Sequence, residues 1–177
     1  MSTFASHECK SNKKMGKRFA FLNNNFALAA IVVLLAVAVF LSIGRPVSFA
    51  NKMAEREKEV KQRLVEIRTA EENYRRITGL YTANLDTLVT LGLLKEGHQI
   101  IPGSKGLPFQ AAVNTVEMPS GRTVPIMECG ARYDEYLAGL DVHEIADRIE
   151  SADAEARYPG LKIGDLTSPN DNKGNWE

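Results

Sequence analysis

The sequence predicts an α+β fold in which a long N-terminal helix packs on a small antiparallel β-sheet with two or three shorter helices. Three observations lead to this prediction. Apolar residues recur at helical spacing over residues 51–78, they alternate with polar residues over residues 109–115, and a turn separates this second segment from another apolar run. Upstream of these segments lies a long stretch without any charged residue.

The uncharged stretch begins at Phe26 and ends at Ile43. A helix of this length rises roughly 27 Å, which is just enough to cross the hydrocarbon core of a bilayer. Five basic residues and one acid precede the stretch, and this positive excess favours a cytoplasmic N-terminus. We therefore predict a transmembrane helix over residues 26–43 after a basic cytoplasmic tail over residues 1–25.

The charge of the chain is unevenly divided. The 177 residues have no net charge, so the part after the apolar stretch has an acidic excess, which disfavours a nucleic-acid partner. A composition of 44% hydrophobic and 25% charged residues is typical of one globular domain. We expect residues 44–166 to form a periplasmic domain of a bacterial inner-membrane protein, with the lipid bilayer as one partner. Residues 167–177 are predicted to be a flexible polar tail.

A cleaved signal peptide is the alternative interpretation of the N-terminus, because basic, apolar and then small residues also describe a secretory signal. Ser48 and Ala50 stand where a signal peptidase reads small side chains, and cleavage there leaves a chain that starts at Asn51. Against cleavage, the apolar stretch is longer than the roughly 7 to 15 residues of a signal peptide, and Arg45 follows it. We expect the segment to be retained.

The helix predicted over residues 51–78 has one narrow apolar stripe and a charged surface elsewhere. Glu57 and Glu71 occupy positions that a heptad repeat fills with apolar residues. We therefore expect the stripe to pack on the chain's own domain, with a coiled coil to a partner as the alternative. Upstream, Gly44 and Pro46 predict a kink or a break. The candidate partner-binding residues on the stripe are Val60, Leu64, Ile67 and Tyr74.

Two shorter helices follow from capping residues. Asn84 or Asp86 can cap a helix within residues 82–94, whose apolar face is formed by leucines. Asp141 with Glu144 three residues later forms a capping box at the start of a further helix.

A β-hairpin is predicted between these helices. Residues 110–118 and 122–128 are its strands, with a Pro-Ser-Gly turn between them. Pro125 predicts that the return strand is an edge strand, because proline has no backbone donor. A last short strand is expected over residues 161–166.

The sequence contains no recognisable catalytic motif. It has no glycine-rich phosphate loop and no serine nucleophile between glycines. His143 and Asp147 share one helix face but are too few for a zinc site. Cys9 and Cys129 lie on opposite sides of the predicted membrane, so they cannot pair within one chain. We predict a protein that is not an enzyme and that needs no cofactor or metal.

An apolar helix, an amphipathic helix and a short glycine-tyrosine turn before a leucine-rich helix follow one another over residues 26–94. This order resembles the N-terminal half of type IV pilins and type II secretion pseudopilins. The resemblance implies a small β-sheet packed on the long helix and, in similar members, a calcium site in the C-terminal loops, here residues 165–172. The residues that support it are Tyr74, Gly79, Tyr81, Leu85, Leu88 and Gly92.

The prepilin cleavage motif is absent. Gly16 is followed by Lys17 and Arg18, and Phe21 stands where the family has a glutamate. The resemblance therefore concerns the shape of the protein rather than its processing.

Two functions follow as expectations. The first is a structural or interaction subunit of an envelope assembly, pseudopilin-like in shape, whose partners are other envelope proteins or further copies of itself. The alternative is a stand-alone membrane-anchored periplasmic binding module. Such a module would add a strand at the edge formed by residues 123–129, or hold a ligand in an aromatic pocket formed by Tyr133, Tyr136 and Trp176.

Overall fold

A computed structural model describes residues 25–177, except for the side chains of Asn25 and residues 41–46. The chain divides into two compact units, Met1–Ser48 and Phe49–Glu177, which are described separately. Residues 1–24 of the predicted basic tail, and with them Cys9, lie outside the described residues.

The first helix, α1, is assigned over Asn25–Thr78 and contributes residues to both units. Of the kink or break predicted at Gly44 and Pro46, the break is wrong, because α1 continues through both residues, and the kink stays a prediction. A proline inside a helix removes one backbone hydrogen bond, and the long helix on either side retains the remainder.

The predicted transmembrane segment, residues 26–43, lies within the part of α1 that belongs to the first unit. Its last three residues fall in the range whose side chains are outside the described set. Among the residues that are described, no helix is both long enough and apolar enough to cross a membrane.

The second unit confirms the α+β class with a small antiparallel sheet and several helices. Its three strands form one sheet in the order β1-β2-β3, and both neighbouring pairs are antiparallel. After α1, the elements are α2 (Leu85–Thr90), β1 (Gln110–Glu117), β2 (Thr123–Arg132), α3 (Tyr133–Tyr136), α4 (Val142–Ala154) and β3 (Gly160–Gly164).

The core of the second unit is built around the apolar stripe of α1. The side chains of Val60, Leu64 and Ile67 are completely buried, as the helical spacing requires if one face packs inward. They belong to the same buried cluster as Met127 of β2 and Ile163 of β3. The part of α1 that belongs to the second unit, residues 49–78, therefore shares a single core with one face of the sheet.

The short helices begin at the predicted caps. The side chain of Asn84 accepts a hydrogen bond from the backbone N–H of Asp86 at 3.0 Å, and Asp141 accepts one from His143 at 3.0 Å. The helix α2 is shorter than predicted, because the chain turns away at Leu91 and Gly92, where the φ angle of the glycine is +70°. Leu91 is therefore largely exposed instead of forming part of the apolar face.

The hairpin is confirmed, but the prediction that its return strand is an edge strand is wrong. β2 is the central strand, with β1 on one side and β3 on the other. Pro125 is nevertheless compatible with this position, since β3 pairs only with residues 128–132 and leaves the first half of β2 open on that side. The proline thus lies where the central strand is locally an edge.

The C-terminal segment, which was predicted to be a flexible tail over residues 167–177, makes specific contacts with the domain. Gly174 forms a β-bridge with Ile163, and the side chain of Asn175 donates a hydrogen bond to Gly160 at 2.9 Å. Arg68 of α1 pairs with the side chain of Glu177 at 2.9 Å. These contacts hold a polar segment against the domain without an apolar repeat, which is why the sequence did not predict them.

Replacing a residue of the α1 stripe is expected to destabilise the second unit. Leu64→Ala removes a fully buried side chain and leaves a cavity, so we expect a loss of about 2–5 kcal/mol in the free energy of unfolding. Chemical denaturation followed by circular dichroism measures this loss. Ile77→Ala, on the same helix but 75% exposed, is the control and should change stability by less than about 0.5 kcal/mol. Equal effects of the two substitutions would contradict this description of the core.

Candidate functional site

The candidate partner-binding residues lie inside the domain rather than on its surface. Val60, Leu64 and Ile67 have no exposed surface, and Tyr74 is partly buried against the same core. A partner could reach the first three only if the domain opened. The stripe packs on the chain's own domain, as expected from the sequence, and a partner-binding role for these four residues stays a prediction.

The most unusual polar group in the described residues is the carboxylate of Glu71. It lies on the same helix face as the core residues and has no exposed surface. Its Oε2 atom accepts a hydrogen bond from the backbone N–H of Thr82 at 3.0 Å, whereas Oε1 has no hydrogen-bond partner among the described residues. A buried carboxylate with one unpaired oxygen destabilises the folded state when it is charged.

Burial raises the pKa of Glu71 from 4.5 to about 7, although the hydrogen bond from Thr82 acts in the opposite direction. The same region contains the buried thiol of Cys129. Burial, and then the negative charges of Glu71 and Glu128, raise the pKa of Cys129 well above its usual range. The thiol therefore remains protonated and serves as a small apolar side chain.

Next to Thr82, the hydroxyl of Tyr81 connects α1 to the C-terminal segment. It accepts hydrogen bonds from Nη1 of Arg75 at 2.9 Å and from Nδ2 of the buried Asn172 at 2.8 Å. The guanidinium of Arg75 also lies over the tyrosine ring, 5.2 Å from its centroid.

Two cavities have Tyr81 and Pro125 as shared lining residues. The first, of about 270 Å³, lies between the open edge of β2 and the segment that contains Asp165 and Asn172. The second, of about 310 Å³, lies over the hairpin beside Leu80. Both are large enough to hold a peptide side chain or several waters, and the first contains charged groups of both signs.

The calcium site implied by the pilin resemblance is not assembled from carboxylates here. Oδ1 of Asp165 accepts hydrogen bonds from the hydroxyl of Thr167 at 2.5 Å and from its backbone N–H at 2.7 Å, and these bonds lower the pKa of the carboxyl. The side chain of Asn172 is directed at Tyr81. In the described part of the chain, no group of three or more His, Cys, Asp and Glu residues could hold a metal ion.

The three aromatic residues of the predicted pocket have separate roles. The rings of Tyr133 and Tyr136 are 5.9 Å apart, but Tyr136 is completely buried and its hydroxyl faces Glu57 of α1 at 3.5 Å. Trp176 lies beside Lys61 and packs against the core. A core position for Tyr136 explains the tyrosine without a ligand.

Comparison of the chain with models of protein families, with curated proteins and with solved structures gives no significant match. The functional interpretation therefore rests on the residues and contacts described here.

The buried carboxylate predicts that the stability of the domain depends on pH. Below about pH 4.5 the carboxyl is protonated in both states. Between about 4.5 and 7 the folded state keeps a proton that the unfolded state releases, so the free energy of unfolding falls as the pH rises. The total loss above pH 7 is roughly 3 kcal/mol.

Urea denaturation of the native chain and of Glu71→Gln between pH 5 and pH 8 measures this dependence. The glutamine cannot ionise, so we expect the fall in stability over this range to disappear in the variant. Glu72→Gln, at the exposed neighbouring position, is the control and should keep the native dependence. A native dependence in Glu71→Gln as well would contradict the assignment.

Proposed function

We propose that this protein is a single-pass membrane protein of the bacterial inner membrane and that it acts as a non-enzymatic structural or interaction subunit of an envelope assembly. One observation carries the proposal. Along residues 26–40 of α1, large apolar side chains are exposed on every side of the helix, from Phe26 at 84% to Phe40 at 81%. A helix that is apolar all round requires an apolar environment, which a bilayer supplies.

The sequence around this segment supports the same role. Residues 26–40 rise about 22 Å as a helix, and the uncharged Leu41, Ser42 and Ile43 extend the length to roughly 27 Å. The basic residues before Phe26 favour a cytoplasmic N-terminus and a periplasmic domain.

The position of Phe49 argues against removal of the segment by a signal peptidase. Phe49 is nearly buried in the core of the second unit, and the guanidinium of Arg148 lies 5.9 Å from its ring centroid. Ser48, Phe49 and Ala50 are also helical. Cleavage after Ala50 would remove a core residue from the domain, whereas retention of the segment leaves the core complete.

A structural role is supported by the burial of the reactive side chains of the domain. The thiol of Cys129, the side chain of Tyr136 and the carboxylate of Glu71 are all completely buried. The resemblance to pseudopilins points to the same class, as a long first helix is followed by a small antiparallel sheet. The proposed partners are envelope proteins or further copies of the chain.

A second candidate function is a stand-alone anchored binding module. The two cavities beside Tyr81 favour it, because they place charged and apolar groups around one exposed region. The two functions predict different behaviour after extraction in mild detergent. An assembly subunit is recovered together with other membrane proteins, whereas a stand-alone module is recovered as a lone monomer.

Membrane fractionation tests the proposed insertion. We expect the native chain to remain in the membrane pellet after an alkaline carbonate wash and to keep the mass of the uncleaved sequence. Leu34→Arg with Leu35→Arg places two charges in the apolar segment at a cost of about 2.5–3.5 kcal/mol each, and should release the chain. Val65→Arg, at an exposed position of the same helix, is the matched control and should stay in the pellet.

Two results would contradict the proposed insertion. A native chain that is released by the wash, or one whose mass corresponds to a start at Asn51, would overturn the proposed insertion.

A further inference from the structure

The strand β1 (Gln110–Glu117) forms an outer edge of the sheet and is exposed on both of its faces. Six of its eight residues are exposed, and only Ala111 and Val116 are partly buried. Its neighbour on one side is β2, and in the described part of the chain no strand pairs with its other side. An edge strand of this length offers a row of backbone groups for pairing with another chain.

The direction of these backbone groups follows from the hairpin. The N–H of Met118 donates to the carbonyl of Arg122 at 2.9 Å, so the even-numbered residues of β1 make the hydrogen bonds to β2. The N–H and C=O groups of Ala111, Val113, Thr115 and Glu117 therefore face outward. Consistent with this direction, the N–H of Thr115 donates a hydrogen bond to Oδ1 of the Asn114 side chain at 2.8 Å and not to β2.

The other edges of the sheet are protected, and that of β1 is not. The open side of β2 carries Pro125 and is flanked by the segment around Asp165, while β3 is bridged by Gly174. β1 contains no proline and no lysine, and its register with β2 runs without a bulge. Its single charged residue, Glu117, stands at one end. Prolines, lysines and bulges are the usual devices that prevent edge pairing.

We propose that β1 pairs antiparallel with β1 of a second copy of this chain, so that the two sheets join across a twofold axis at Thr115. This inference rests on the proposed interaction role and names one partner for it. In this register, the outward groups of Val113 face those of Glu117 in the second copy, and Thr115 faces its own equivalent. The pairing forms about six hydrogen bonds between the strands, and it displaces the Asn114 side chain from Thr115.

The register is limited by the chain that precedes β1. The N–H of Phe109 donates to the carbonyl of Gln99 at 2.9 Å, so the outer side of the sheet is already occupied up to Phe109. An added strand must end before that point. Centring the pairing on Thr115 places the end of the second β1 opposite Val113, and its turn then leaves the sheet before it reaches Gln99.

Charge favours a second copy in the antiparallel direction. In the proposed register the two Glu117 carboxylates are offset by four residues along the strands, about 13 Å, which exceeds the screening length at physiological salt. A parallel arrangement would place like charges side by side and lose stability. The chain is therefore complementary to itself in one direction only.

Molar mass in detergent micelles tests the pairing with the full chain. We expect the native protein to form a dimer and Thr115→Pro to be monomeric, because the proline removes the outward N–H at the centre of the interface. Thr123→Pro is the matched control. It makes the same change at the start of β2 and should remain dimeric. A native monomer, a dimeric Thr115→Pro or a monomeric Thr123→Pro would overturn the proposal.

Cysteine cross-linking tests the register. In a Cys9→Ser background, with Cys129 buried, Thr115→Cys places two thiols opposite each other at the axis. Val113→Cys lies on the same face of the same strand, but its equivalent is four residues away. We expect oxidation in membranes to link Thr115→Cys roughly tenfold more than Val113→Cys. The Cβ atoms of directly opposed residues lie about 5 Å apart, which small shifts of the strands can close to a disulfide, whereas the two Val113 positions are about 13 Å apart along the strands. Equal yields would overturn the register and with it the proposed interface.

The outcome is separable from that of membrane insertion. A chain that stays in the membrane pellet but gives no cross-link at Thr115→Cys overturns the pairing alone. A chain that is released from the pellet overturns the proposed insertion, whatever its cross-linking yield.

Discussion

Burial of one stripe of α1 is the interaction on which the rest of the second unit depends. Val60, Leu64 and Ile67 are completely enclosed, and the strands contribute Met127 and Ile163 to the same cluster. A sheet of only three strands has little stability without such a partner. The helix therefore supplies the apolar surface that stabilises so small a sheet. The polar groups of the domain must find hydrogen-bond partners around this surface.

Two acids, Glu57 and Glu71, interrupt the stripe, and their environments differ. Glu57 is half-buried, pairs with Lys61 at 3.5 Å and faces the hydroxyl of Tyr136. Glu71 is fully buried, contacts only the backbone N–H of Thr82, and has a pKa raised by burial to about 7. The first acid keeps access to water and a cation, whereas the second lowers the stability of its own core whenever it ionises.

The sequence predicted the elements whose signal is local. The spacing of Val60, Leu64 and Ile67 predicted the buried face of α1, and Asp141 predicted where α4 begins. It did not predict that β2 is central, because the residues of β3 lie 28 to 36 positions after their partners in β2 and leave Pro125 unpaired on that side. The burial of Glu71 was indicated only by its position on the apolar face. An acid at this position is equally compatible with an exposed ion pair to Arg75, four residues later. Long-range pairing and the choice among polar partners depend on tertiary contacts that no local pattern specifies.

The apolar surface of residues 26–40 and the outer edge of β1 differ in chemistry, and this difference separates their proposed roles. Residues 26–40 present apolar side chains without exposed backbone donors, a surface suited to lipid, where a helix satisfies its own hydrogen bonds. β1 presents backbone donors and acceptors with small, mostly uncharged side chains, a surface that water satisfies until another strand replaces it. Lipid cannot satisfy β1, and a strand cannot cover an all-round apolar helix. The proposed insertion covers the apolar side chains of residues 26–40, and the proposed strand pairing satisfies the backbone groups of β1. Neither interaction can replace the other.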